Sequence, residues 1–182
     1  MRIRVFVSPW AALAAGVLIY FLPGRSILFL LLPIIFHELG HLLALFLFHY
    51  RIEELRVEIS GLCIRYSGVC SAWKEAAAAL AGPLAGLIYA CAAVGLGQDG
   101  EITAGISLLL SAFNMIPAQP LDGGRIAAAL LDPLSAGRLG LVSAVLTAAM
   151  GLILLLERRG AALALAGLCL VLNQYPFNSK VP

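Results

Sequence analysis

The chain has 182 residues, room for one domain of ordinary size, yet 62% of them are hydrophobic and only 12% are charged. A soluble domain carries about 25% charged and about 45–50% apolar residues, so this composition cannot cover a water-facing surface. Twelve basic residues against 10 acidic give a net charge of +2, which excludes a strong field for nucleic acid, and a mean hydropathy of +0.98 points to the bilayer as solvent.

In chain order, Arg2 and Arg4 precede an apolar run from Val5 to Leu22. A signal peptide begins in the same way, but no small-x-small cleavage site follows. The run ends in Leu22-Pro23-Gly24-Arg25, so a retained span is expected. The second run, Ile27 to Phe48, matches a bilayer crossing of about 20 residues. After it, Leu55, Val57 and Ile59 alternate with Arg56 and Glu58. Past Ser60-Gly61, Leu62, Ile64 and Tyr66 alternate with Cys63 and Arg65. Period-2 alternation about a Ser-Gly turn predicts a short β-hairpin at the membrane surface, an irregular charged loop being the alternative. Ala76 to Gly97 is the third run. The fourth starts near Ile102 and is broken at Pro117 and Pro120. Leu139 to Leu156 is the fifth, and Ala161 to about Leu172 a short sixth.

The expected fold is therefore an all-α polytopic membrane protein of about six transmembrane helices with a small surface hairpin. One domain over residues 1–182 is expected, without repeats or an appended soluble domain. Of four cysteines none forms a C-x-x-C pair, and Cys91 and Cys169, in apolar stretches, read as buried free thiols. With a cytoplasmic N-terminus, Arg2, Arg4, Arg51, Arg56, Arg65, Lys74, Arg125, Arg138 and Lys180 share one side; Arg25, Arg158 and Arg159 share the other. This asymmetry favours cytoplasmic N- and C-termini.

Ionisable residues in the second run carry the chemistry. His37-Glu38-Leu39-Gly40-His41 sits in its middle, and residues i and i+4 of a helix lie about 40° apart, so both imidazoles face one way. Glu38 is placed to reach a metal-bound water from the side. Two histidines that bind Zn²⁺ and a glutamate base are the arrangement of zinc hydrolases. Each ionisable group at mid-bilayer costs about 2.5–3.5 kcal/mol on insertion scales, so three in five residues need a metal or polar partners. A catalytic zinc wants a third protein ligand. His49 lies about 120° round from His37 on an ideal helix and is the weaker candidate. Asp122 is the better one. It ends the segment Asn114-Met115-Ile116-Pro117-Ala118-Gln119-Pro120-Leu121-Asp122, whose prolines break a helix at membrane depth, where irregular backbone is tolerated only beside protein or a cavity. The alternative for Asp122 is a loop carboxylate paired with Arg125. His37 and His41 fall about 15 and 21 Å down from Ile27, and Asp122 up to about 30 Å from Ile102, all in the cytoplasmic half.

These residues resemble the site-2 proteases, intramembrane zinc metalloproteases that pair an H-E-x-x-H span with a later N-x-x-P-x-x-P-L-D-G segment. Asn114, Pro117, Pro120, Leu121, Asp122 and Gly123 match that segment, and Ala81-Gly82-Pro83-Leu84 matches a small-residue stretch on the family's central span. The resemblance covers about residues 27–130, the expected catalytic core. One span before the zinc helix and a strand region after it are similar to the sporulation-type bacterial branch, whose member in spore formers releases a pro-sigma factor. The chain departs from that branch in ending at Pro182 without a nucleotide-sensing domain. The resemblance implies Zn²⁺ on His37, His41 and Asp122, Glu38 as general base, and Asn114 on substrate or oxyanion. A helix-to-helix bond is the other reading of Asn114. It also implies a membrane-tethered protein substrate, room for an inhibitory membrane partner, and residence in a bacterial cytoplasmic membrane. Gly82 and Gly86 form G-x-x-x-G, read as close helix packing, and Arg125 takes a structural reading. The free edge of the hairpin is expected to take an unwound substrate by β-addition. The competing class is a zinc-binding membrane protein or metal-ion transporter without proteolysis; a transporter needs several ionisable sites along a path, and one cluster is visible.

Overall fold

Small residues lie inside and large apolar residues outside, the reverse of a water-soluble protein. Ala78, Ala79, Ala90, Ala93 and Ala104 are at most 2% exposed, whereas Ile19, Phe46, Ile88, Leu109 and Leu146 are all more than 60% exposed. Lipid tails are as apolar as leucine, so helices associate in a bilayer by close backbone approach, and alanine and glycine permit it.

The computed structural model describes residues 4–58, 61–68 and 71–178, in the order β1 (Arg4–Val7), α1 (Pro9–Phe21), α2 (Gly24–Leu47), β2 (Arg51–Glu58), β3 (Gly61–Ser67), α3 (Ala72–Ala93), α4 (Gln98–Asn114), α5 (Asp122–Leu130), α6 (Pro133–Leu156) and α7 (Ala162–Asn178). A 3₁₀ turn, Val94–Leu96, extends α3.

Among the described residues, three helical stretches are long and apolar enough to cross a membrane: Gly24–Leu47, Ala72–Leu96 and Pro133–Leu156. These correspond to the second, third and fifth predicted spans. Pro9–Phe21 and Ala162–Gln174 are apolar but shorter. The fourth predicted span is α4, 17 residues long, whose first turn carries Asp99 and Glu101.

The first predicted span needs correction. Val5–Val7 belong not to a helix but to β1, which pairs in parallel with β2, Val5 opposite Leu55 and Val7 opposite Val57. Ser8 then caps α1 by accepting from the Ala11 N–H at 3.1 Å, and Pro9 takes the first helical position, where its missing N–H costs nothing. The 13 residues left to α1 rise only about 20 Å. The predicted hairpin is present: β2 pairs antiparallel with β3, Leu55 opposite Ile64 and Val57 opposite Leu62. Its turn residues Ile59 and Ser60, like Cys70, lie outside the described residues. Cys91 and Cys169 are exposed, not buried as expected, because the apolar face of a membrane helix is its outer face.

Two prolines lie inside helices. Pro33 in α2 cannot donate to the Phe29 carbonyl, and the Thr103 hydroxyl of α4 reaches that oxygen at 3.4 Å. Pro83 likewise interrupts the ladder of α3, the helix that packs most against α2. Gly40 sets that approach: a Cβ there would lie 2.4 Å from the Ala81 carbonyl oxygen.

Candidate metal centre

His37 and His41 sit one turn apart on α2, 4% and 5% exposed, and Asp122 opens α5, 5% exposed. Three donor atoms form a nearly equilateral triangle. His37 Nε2 lies 3.1 Å from Asp122 Oδ2, His41 Nε2 lies 3.2 Å from the same oxygen, and the two Nε2 atoms are 3.2 Å apart. Ligands 2.0–2.1 Å from a tetrahedral zinc are separated by about 3.3 Å, so the triangle fits such an ion.

The hydrogen bonding suits a cation there. His41 Nδ1 donates to the Ala78 carbonyl at 2.8 Å, and a carbonyl can only accept. A neutral ring with its proton on Nδ1 leaves Nε2, which faces the His37 ring nitrogen and an Asp122 oxygen, free to ligate. This carbonyl contact is the outer-shell bond that orients a ligating histidine. Gly82 completes the seat: a Cβ at that position would lie 2.2 Å from His41 Nε2. The G-x-x-x-G of α3 is therefore a packing element, but Gly82 packs against the imidazole itself, while Gly86 packs against the Ser111 hydroxyl of α4.

Two glycines hold the Asp122 segment. A Cβ at Gly123 would lie 2.3 Å from the Met115 carbonyl oxygen, and one at Gly124 would lie 2.5 Å from Gln119 N. The loop folds back on the first turn of α5 and presents Asp122 to α2. A carboxylate in the first turn also faces the positive end of the helix dipole.

The remaining predicted residues surround this triangle. Glu38 is outside it and lines the same cavity of about 260 Å³, together with Leu62 of β3. Asn114 also lines the cavity, and its Nδ2 donates to the Leu110 carbonyl of its own helix at 3.0 Å. His49 is exposed in the turn after α2 with φ at 61°, away from the triangle. Among the described residues, His37, His41 and Asp122 are the one group of three ligating side chains within reach of a common ion.

Arg125, given a structural reading from sequence, belongs to the site. Its Nη1 is 3.4 Å from Asp122 Oδ1 and its Nη2 donates to the Tyr66 hydroxyl at 3.3 Å, while Tyr66 donates to Glu75. Burial and the Glu75 carboxylate push the Tyr66 hydroxyl above its usual range, so it stays a donor. This chain of contacts ties β3 and α3 to the carboxylate of the triangle. Its sequence signal was weak: an arginine three residues after an aspartate commonly pairs with it and nothing more.

The cavity continues along β3. A second space of about 640 Å³ shares Gly61, Leu62, Ile64, Asn114, Pro120 and Arg125 with the first, and β3 is an edge strand. On the other side, Glu38 and Leu62 also border an apolar groove of about 520 Å³ between α1 and α2.

A family model described as Peptidase M50B-like matches residues 10–118, ending four residues before Asp122. A zinc metalloprotease of Methanocaldococcus jannaschii is 31% identical over 124 residues, 59% of this chain and 35% of that protein. The chain thus spans about a third of that relative's length. Among solved structures, a site-2 protease from Methanocaldococcus jannaschii superposes with a TM-score of 0.68 at 23% identity, covering 100% of this chain and 93% of that one. At that identity the likeness speaks for the fold.

Proposed function

Because the chain belongs to the Peptidase M50B-like family, we propose that this integral membrane protein is an intramembrane zinc metalloendopeptidase of the site-2 protease type. The buried donor triangle of His37, His41 and Asp122, beside the Glu38 carboxylate in one cavity, is the observation that carries this reading. When bound, zinc supplies Lewis acidity, acidifying a water and polarising a peptide carbonyl. His37 and His41 would give it two neutral nitrogens and Asp122 a carboxylate oxygen, with Ala78 and Arg125 fixing the orientation of His41 and Asp122. Glu38 takes the proton of the attacking water and returns it to the leaving amide nitrogen. Asn114, in the wall between the two cavities, is suited to a substrate carbonyl. The free edge of β3 is suited to an unwound substrate strand, whose amides would otherwise stay unsatisfied at a cost of several kcal/mol.

The substrate in this reading is a membrane-tethered protein, cleaved in the manner of regulated pro-sigma or anti-sigma factor release, with an inhibitory membrane partner as one means of control. The six apolar helices α1 to α4, α6 and α7 serve as crossings, the short ones in locally thinned bilayer. The uneven share of basic residues supports cytoplasmic termini and a sheet at the cytoplasmic surface, and the resemblance to the sporulation-type branch supports a bacterial cytoplasmic membrane. Residues 1–182 act as one catalytic domain with its core at about 27–130. A transporter is disfavoured because one ligating group among the described residues makes no path.

The test is reconstitution in liposomes with a library of single-span model helices carrying Gly or Asn near mid-span. Wild type should produce new peptide termini by mass spectrometry. Glu38→Gln should retain zinc and lose cleavage by several orders of magnitude. Equal cleavage by wild type and Glu38→Gln would sink the mechanism.

A further inference from the structure

Gln174 lies on α7, outside the segment that the family model matches, and just past the apolar run that marks the sixth predicted span. It is 6% exposed. Its Nε2 donates to the Gln119 carbonyl at 2.8 Å, across 55 residues of sequence. Gln119 belongs to the loop that carries Asp122, and on its other side Gln119 N meets Gly124 of α5. The same loop is gripped one turn earlier on α7: Ala118, fully buried, packs with Leu170 and Ala144, and Val171 joins them. Gly140 of α6 makes room for the amide, since a Cβ there would lie 2.7 Å from Gln174 Oε1. Only a void of about 10 Å³ remains between Gly140, Gln174 and the loop.

We propose that Gln174 is a positioning residue that clamps the Pro117–Asp122 loop from α7 and so holds Asp122 in the metal triangle. The proposal rests on the metal reading above. The loop has few bonds of its own: the Ala118 N–H reaches the Ile116 carbonyl at 2.8 Å and the Leu121 N–H reaches the Ala118 carbonyl at 3.0 Å. The prolines at 117 and 120 contribute no N–H. Without that donor the partly buried Gln119 carbonyl would lose its protein partner, and the loop would reorient to satisfy it. A shift of a few tenths of an ångström at Asp122 is enough to spoil coordination.

The test uses the purified full chain, with zinc affinity from chelator competition and hydrogen exchange of the 115–121 amides in the metal-free protein. Gln174→Met keeps the shape and removes the donor; Gly140→Ala displaces the amide from α6. Each should weaken zinc binding about tenfold, the lower end for outer-shell partners, and speed exchange at Leu121. The double variant should be no worse than either single one, because both remove the same bond. Cleavage by Gln174→Met should recover at saturating zinc. Leu168→Ala, on the exposed face of the same helix, should change neither readout. Wild-type zinc affinity and exchange in Gln174→Met would overturn the clamp, as would an equal effect of Leu168→Ala. A wild type that binds no zinc would instead overturn the metal reading, and Leu121 exchange would then decide the clamp by itself.

Discussion

Replacing Gly82 with alanine tests the site from outside the ligand set. The new Cβ would lie 2.2 Å from His41 Nε2, 2.5 Å from Cε1 and 2.7 Å from Cδ2. Ordinary contact begins at 3.4 Å, so ring and helix must separate by about 1.2 Å. Metal–ligand distances tolerate about 0.2 Å, and the 2.8 Å bond to Ala78 ties the ring to the same helix that pushes it. The ring therefore leaves the triangle. Losing a ligand should cost more than the 10–100-fold typical of outer-shell partners, so zinc affinity should fall by about 100-fold or more. Gly86→Ala is the control, one turn along α3. Its Cβ would lie 2.3 Å from Ser111 Oγ and would strain the α3–α4 contact by about 1–3 kcal/mol without touching a donor. Chelator competition on both variants, with melting temperature as the check on folding, separates the two effects. Gly82→Ala at wild-type zinc affinity, or Gly86→Ala losing zinc equally, would refute the close seat of His41.

Asp122→Ala should lose zinc in metal analysis of the purified protein; undiminished zinc would put the third ligand elsewhere. Arg125→Met should keep most of the zinc while weakening its affinity by about tenfold, because it frees one oxygen of Asp122 and the Tyr66 hydroxyl together. In a Glu38→Gln background, Leu62→Cys or Ile64→Cys should cross-link to cysteines near the cleavage point of a model helix. Cross-links confined to other elements would remove β3 from substrate binding.

How far these features could be read in advance follows the range of the physics behind each. His37 and His41 are four residues apart on one helix, so local geometry alone aims both rings the same way. Asp122 stood out because prolines and a carboxylate at membrane depth require an explanation. The hairpin followed from alternation along one short stretch, and the crossing helices from unbroken apolar length. The strand β1 did not, although Arg2-Ile3-Arg4-Val5 alternates, because a parallel partner 50 residues away must exist before four residues prefer an extended ladder to a helix. Gly82 against the His41 ring, Arg125 between Asp122 and Tyr66, and Gln174 on the Gln119 carbonyl are likewise meetings of separate helices, strands and loops. No periodicity encodes them. Residue type, spacing and hydropathy carry the solvent, the metal chemistry and most of the helices, because those depend on neighbours along the chain. Which side chains hold the ligands in place depends on how α3, α5 and α7 pack around α2, and that exists only once the chain has folded.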